Sequence, residues 1–176
     1  MSVFSASLPR RTPRAFPIAL GIGCLAAIGM GLVLREQQVA SLRGANLGGA
    51  RFLSGNLSRV DMSGANFAGA RTKCNMEQAH LVGVNFAFAD LSGARLQRAQ
   101  LATANLASAK LVAADLRNSD LSRANLCGAD FRRADLRGAD LRDANLARAF
   151  FQGALYNGAT RWPHGFQPTQ SGATLR

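Results

Sequence analysis

The chain has 176 residues, 21 of them Lys or Arg against 10 Asp or Glu, for a formal net charge of +11. That length holds one folded domain with short appendages, and charge of this sign would supply salt-sensitive attraction to phosphate. Three cysteines and two histidines are too few and too scattered for a disulfide framework or a metal site.

Residues 1–14 form a basic, polar tail carrying Arg10, Arg11 and Arg14. From Ala15 to Leu34 the chain runs twenty residues without a charge, and Arg35-Glu36 closes the run. At about 1.5 Å per residue, twenty residues in a helix just cross a hydrocarbon core of ~30 Å, so the 15–35 segment is expected to be one apolar transmembrane anchor. A signal segment cleaved near Ala27-Ile28-Gly29 is the alternative, although the apolar run continues past that site. The expected location is therefore single-pass in a membrane, with the folded body outside the cytoplasm in a periplasm or lumen; cleavage would give a soluble secreted or lumenal protein. Arg43 and Arg51 lie inside the folded body, so the charge asymmetry that sets orientation rests on the three N-terminal arginines. Gly23, Ala27 and Gly31 recur every fourth residue and would give one flat helical stripe where a second copy could pack as a homodimer.

From Ser41 to Asn157 the sequence keeps a five-residue beat: ANLGG, ANFAG, ADLSG, ANLCG, ADFRR, ADLRG, ADLRD and ANLAR are among its units. Aligned on the large apolar residue there are 23 centres: 15 Leu, 5 Phe, 2 Met and 1 Tyr. Two positions earlier 18 of the 23 residues are Ala, and one position earlier 15 are Asn or Asp. Neither regular structure accommodates this. On an α-helix five residues turn about 500°, which smears the Leu around the cylinder; on a plain strand an odd period places alternate Leu on opposite faces. A short extended piece (small residue in, Asn/Asp out, Leu in) followed by a two-residue corner fits, with the Asn or Asp side chain bonding nearby backbone amides. Such a chain coils around its own apolar residues as a solenoid.

The tandem A(D/N)LXX units resemble the pentapeptide-repeat family, over about two thirds of the chain. The resemblance implies an all-β fold, a right-handed quadrilateral β-helix of about six coils stacked at roughly 4.8 Å, over residues 40–157 and preceded by the hydrophobic helix. The beat slips once: Thr72 stands where a centre is due and Met76 follows four residues later, so Arg71-Thr72-Lys73 is expected to be a kinked corner that has lost a residue. Residues 158–176 form a cap and tail. Tyr156-Asn-Gly-Ala-Thr160-Arg-Trp162-Pro163-His-Gly165-Phe166-Gln-Pro168 is similar to the segment that closes many members of the family, with Gln167 in place of the usual Asp. Tyr156, Trp162 and Phe166 are expected to lid the last coil, whose open end would otherwise expose strand edges.

Between 41 and 157 there are 15 basic and 9 acidic residues, so +6 belongs to the body itself. Arg117, Arg123, Arg132, Arg133, Arg137, Arg142 and Arg148 crowd the C-terminal corners as a candidate surface for polyanions or anionic lipid head groups. No aromatic residues interleave with them, which argues against stacking on nucleic-acid bases. Some proteins of the resembled family imitate DNA and protect topoisomerases with an acidic rod; a basic rod does not fit that role. His80 and His164 stand far apart, no nucleophile elbow or phosphate loop occurs, and Cys74 (inward) and Cys127 (at a corner) lie too far apart to pair. The expectation is a non-enzymatic, membrane-tethered scaffold or interaction module, without catalytic residues, metal or cofactor, that engages an unidentified partner protein.

Overall fold

The computed structural model describes residues 41–52 and 55–176; the anchor segment, with Gly23, Ala27 and Gly31, lies outside the described residues. Within them there is no helix, and therefore none long and apolar enough to cross a membrane. Two-residue strands β1 (Arg51–Phe52) and β2 (Arg71–Thr72) pair in parallel, as do β3 (Leu155–Tyr156) and β4 (Thr174–Leu175). Between these pairs the chain is a continuous series of single parallel bridges twenty residues apart, such as Asn85 to Asn105 and Asp115 to Asp135. Four five-residue units thus make one turn, and the structure is a four-sided β-helix.

Each side is the extended three-residue piece the beat demands. Ala-Asp-Leu at 114–116 is typical: Ala114 and Leu116 are buried and Asp115 faces out. The backbone bonds to both neighbouring coils at this piece, with Asp115 N–H donating to Ala94 C=O on the coil before and Leu116 N–H to Asp135 C=O on the coil after. Each corner is a four-residue turn closed by a bond such as Ala94 N–H to Leu91 C=O at 2.9 Å. Its third residue has positive φ, from Arg59 at 61° to Arg148 at 59°, the signature of a type II turn. Glycine takes that position without strain at Gly64 or Gly93. Arginine, serine and even Phe88 (φ 59°) occupy it elsewhere because the bonds to the coils above and below hold the corner in place.

The core is one column of side chains filling the axis, including Leu81, Leu101, Leu121 and Leu141 on one side and Phe131 stacked on Phe151 at 5.2 Å on another. Departures from Ala at the inward small position are absorbed locally. Ser119 donates to Leu116 C=O at 2.7 Å, and Gly55 makes room for the buried Cys74 thiol, whose Sγ would lie 3.2 Å from a Cβ at that glycine.

The slip resolves as one coil of nineteen residues: Asn56 bridges to Asn75, Asp61 to His80, Asn66 to Asn85 and Arg71 to Asp90, before Asn75 to Arg95 restores twenty. Thr72 takes the centre position, 3% exposed, and its hydroxyl accepts the Cys74 N–H at 3.1 Å, so the polar side chain caps the shortened corner from inside. Near the other end one residue is gained. Asp140 bridges to Arg161, and Thr160 fills the enlarged corner, donating to Leu136 C=O and accepting the Gly138 N–H. The coil path therefore runs on past residue 157, with Trp162 at a centre position and Thr174–Leu175 adding a rung over Leu155–Tyr156. Trp162 packs edge-on against Phe151 and Tyr156, at 5.5 Å and 5.6 Å, and stacks on Phe166 at 5.0 Å. Tyr156, Trp162 and Phe166 thus pack together at the C-terminal end, with the Thr174–Leu175 rung laid over Leu155–Tyr156.

Leu116→Asp places an unpaired carboxylate in this axis and is expected to abolish the cooperative melt followed by far-UV circular dichroism. Leu116→Ala should cost about 2–5 kcal/mol. Arg117→Ser, at an exposed corner, should leave the cooperative melt in place.

Candidate functional site

Because the register repeats, each outward position becomes a column running up one side of the rod. The first side carries Ser41, Asp61, His80, Gln100, Asp120, Asp140 and Arg161. On the second are Asn46, Asn66, Asn85, Asn105, Asn125 and Asn145; on the third Arg51, Arg71, Asp90, Lys110, Asp130 and Phe150; on the fourth Asn56, Asn75, Arg95, Asp115, Asp135, Leu155 and Thr174. Asp90, Lys110 and Asp130 alternate in charge on the third side, and Asp115 and Asp135 follow Arg95 on the fourth.

The six asparagines of the second side form a hydrogen-bonded ladder. Each Nδ2 donates to the Oδ1 one coil below: Asn66 to Asn46 at 3.0 Å, Asn85 to Asn66 at 3.1 Å, Asn105 to Asn85 and Asn125 to Asn105 at 3.2 Å, and Asn145 to Asn125 at 3.5 Å. Each Oδ1 also accepts a backbone amide two residues on, as in Ala107 N–H to Asn105 at 3.2 Å. Asn is the residue that can do this, since one amide supplies both an acceptor and donors. Grouping Asn with Asp by unit conceals the ladder; reading every fourth unit together reveals it.

The corner arginines do not form one surface. Arg117 and Arg137 share the corner after the fourth side, Arg132 and Arg133 the one after the third, Arg123 and Arg142 the one after the first, and Arg148 the one after the second. Four of the seven fold back on the aspartate two residues earlier in their own unit. Arg132 reaches Asp130 through Nε at 2.9 Å and Nη2 at 2.6 Å; Arg142 does the same to Asp140, Arg137 to Asp135, and Arg117 to Asp115 at 2.9 Å and 2.7 Å. These are two-pronged, charge-assisted bonds. Arg123, Arg133 and Arg148 make no ion pair among the described residues within 4.0 Å, and they point from three different corners.

The Arg132 and Arg142 side-chain bonds hold the Asp130 and Asp140 carboxyls below their ordinary value. For Asp115 burial pushes upward, but the bonds from Arg117 and Gln97 outweigh it and the net shift is down. Among the described residues no three His, Cys, Asp or Glu side chains converge. A shallow open depression of about 250 Å³ lies over the corner of Ala102, Thr103, Ser122, Arg123, Arg142 and Asp143.

Two tests address this surface. Asn105→Ala removes the acceptor of the Ala107 amide and two ladder bonds, and should destabilise the rod by about 1–3 kcal/mol in denaturant melts; Gln100→Ala, at the same place in a unit of the first side, should cost under about 0.5 kcal/mol. For pH, carboxyls with depressed folded-state values stabilise fully above the unfolded value near 3.9 and lose that contribution as pH falls through the folded value. The midpoint of thermal unfolding should therefore be flat from about pH 7 to 5 and fall below about pH 4. The double change Asp130→Asn, Asp140→Asn should make that fall shallower.

Comparison with known proteins agrees with the geometry. The profile described as pentapeptide repeats matches in 8 copies, over residues 40–71, 72–106, 85–123 and 119–155. Solved structures similar to the chain include the pentapeptide repeat protein Rfr23 from the cyanobacterium Cyanothece 51142 (26% identity, 70% of this chain and 88% of that one, TM-score 0.42). Another is alr5209, a pentapeptide repeat protein from Nostoc PCC 7120 (28% identity, 80% and 100%, TM-score 0.30). A third is QnrB1, a plasmid-mediated fluoroquinolone resistance protein (18% identity, 79% and 87%, TM-score 0.43). No curated protein matched. With its repeats matched from residue 40 to residue 155, the chain belongs to the pentapeptide-repeat family.

Proposed function

We propose that this pentapeptide-repeat protein is a membrane-tethered interaction rod standing outside the cytoplasm, held by the uncharged run from Ala15 to Leu34 and acting through the sides of its β-helix rather than through catalysis. The observation that carries the interaction role is the spending of reactive groups on construction. Asp61, Asp90, Asp115, Asp120, Asp130 and Asp140 each accept a backbone amide of their own corner, and the axis is filled with Leu, Phe and Ala. A rod of this kind offers rigid, flat β-surface to a protein partner. The basic excess adds a general attraction toward anionic lipid near the membrane. It is diffuse, because the unpaired arginines are distributed over separate corners and four others are neutralised by their own aspartates.

The tether is tested on the full chain expressed in a host with the matching export route. Retention in the membrane pellet after alkaline carbonate washing, with an intact mass that includes the first 34 residues and protease access only from outside the cytoplasm, is the expected result. A mature chain beginning near Met30, released by carbonate, replaces the tether with the exported soluble reading.

A further inference from the structure

The asparagine side differs from the other three in charge. Three successive rungs of it, residues 63–69, 82–88 and 102–108, contain no Asp, Glu, Lys, Arg or His from one corner to the next. The neighbouring sides at the same heights carry Glu77, His80 and Arg98, or Arg71, Asp90 and Lys110, or Arg95 and Asp115. For a chain of net charge +11, this is the described side on which a second copy can approach without like charges meeting in the middle.

The borders of this side are self-complementary. On the middle rung, Val82 stands at one corner and Phe88 at the other, flanking Asn85; they are 41% and 73% exposed. Phe88 holds a left-handed backbone conformation (φ 59°) that is costly for a bulky residue, and it recovers little of that cost by packing within its own chain. Three rungs up, the corners flanking Asn145 carry Arg142 and Asp143 on the Val82 edge and Arg148 on the Phe88 edge. Arg142 is folded back on Asp140; Asp143 and Arg148 are exposed, and neither makes an ion pair among the described residues.

A two-fold axis parallel to the rod lays each edge of this side over the opposite edge of the second copy at the same height. It seats Phe88 on Val82 and Arg148 on Asp143, twice each, which is the reciprocity an isologous contact requires. An antiparallel pairing about the middle of the ladder instead sets Phe88 over Ser108 and Arg148 over Gly48 and Gly49. We propose that the Asn46–Asn145 ladder side is a homodimer interface in which two rods lie parallel, face to face, joined by Phe88–Val82 contacts and Arg148–Asp143 ion pairs. The spare Nδ2 hydrogens of the ladder are served by water in the seam. The arrangement brings the two N-terminal ends to the same end of the dimer, so it is compatible with a shared membrane but does not depend on one.

The test uses the full chain in a Cys24→Ser, Cys127→Ser background, with a bifunctional thiol reagent spanning about 10 Å, the spacing of stacked sheets. Chains carrying Phe88→Cys mixed with chains carrying Val82→Cys should crosslink, as should Arg148→Cys mixed with Asp143→Cys. Each of the four variants alone should give less than about one tenth of the mixed yield, since like edges lie on opposite sides of the seam. Arg148→Asp should reduce the yield of the Phe88/Val82 pair by about tenfold, a loss of about 1.4 kcal/mol, and the charge swap Arg148→Asp with Asp143→Arg should restore it. Crosslinking of Phe88→Cys with itself in preference to the mixed pair would show an antiparallel contact and overturn the proposal. Absence of both mixed crosslinks from chains with unchanged circular dichroism overturns it too, whatever mass the anchor segment imposes.

Discussion

Everything in this molecule depends on the parallel backbone register between successive coils. A chain that wraps around its own side chains satisfies the amides of its sides against the coil before and the coil after, as Leu96 and Asp115 do. Twenty residues per turn is the value at which four identical units close. The register fixes which side chains fill the axis, forces the third residue of each regular corner into positive φ, and stacks every outward residue on its counterpart. Burial of Leu and Ala supplies most of the driving force, but without the register those side chains would have no common axis to fill.

The register also explains how irregularities are tolerated. The coil that loses a residue at Arg71–Lys73 keeps its bridges and hides Thr72 in the core with its hydroxyl bonded to the Cys74 amide. The coil that gains one before Arg161 fills the extra space with Thr160, which bonds to the Leu136 carbonyl. In both cases a threonine replaces a missing backbone partner, because its hydroxyl both donates and accepts. The solenoid thus yields one corner at a time, consistent with a structure in which each coil contacts only its neighbours.

Surface charge follows the same rule. The net charge of +11 suggests a broad basic face, yet the unit Asp-Leu-Arg places the arginine two residues after its own aspartate, where a two-pronged bond forms within the unit. Much of the apparent surface charge is therefore local and paired. The asparagine column is different in kind: stacked asparagines bond along the rod, whereas the stacked aspartates at Asp115 and Asp135 or Asp120 and Asp140 need arginines beside them.

The five-residue beat was enough to read the solenoid, the inward Leu and Ala, the outward Asn and Asp and the lost residue at the slip, because those depend on the local unit and its period. Other features required the register between coils. The ladder from Asn46 to Asn145, the rung added by Thr174–Leu175 and the neutral side flanked by Phe88 and Val82 are relations between residues nineteen to twenty-one apart. The sequence by itself determined what each position of the unit faces. Tertiary structure decided what lies above, below and beside it, since side-chain pairing across coils is set by the count of residues around the turn and not by the composition of any one unit.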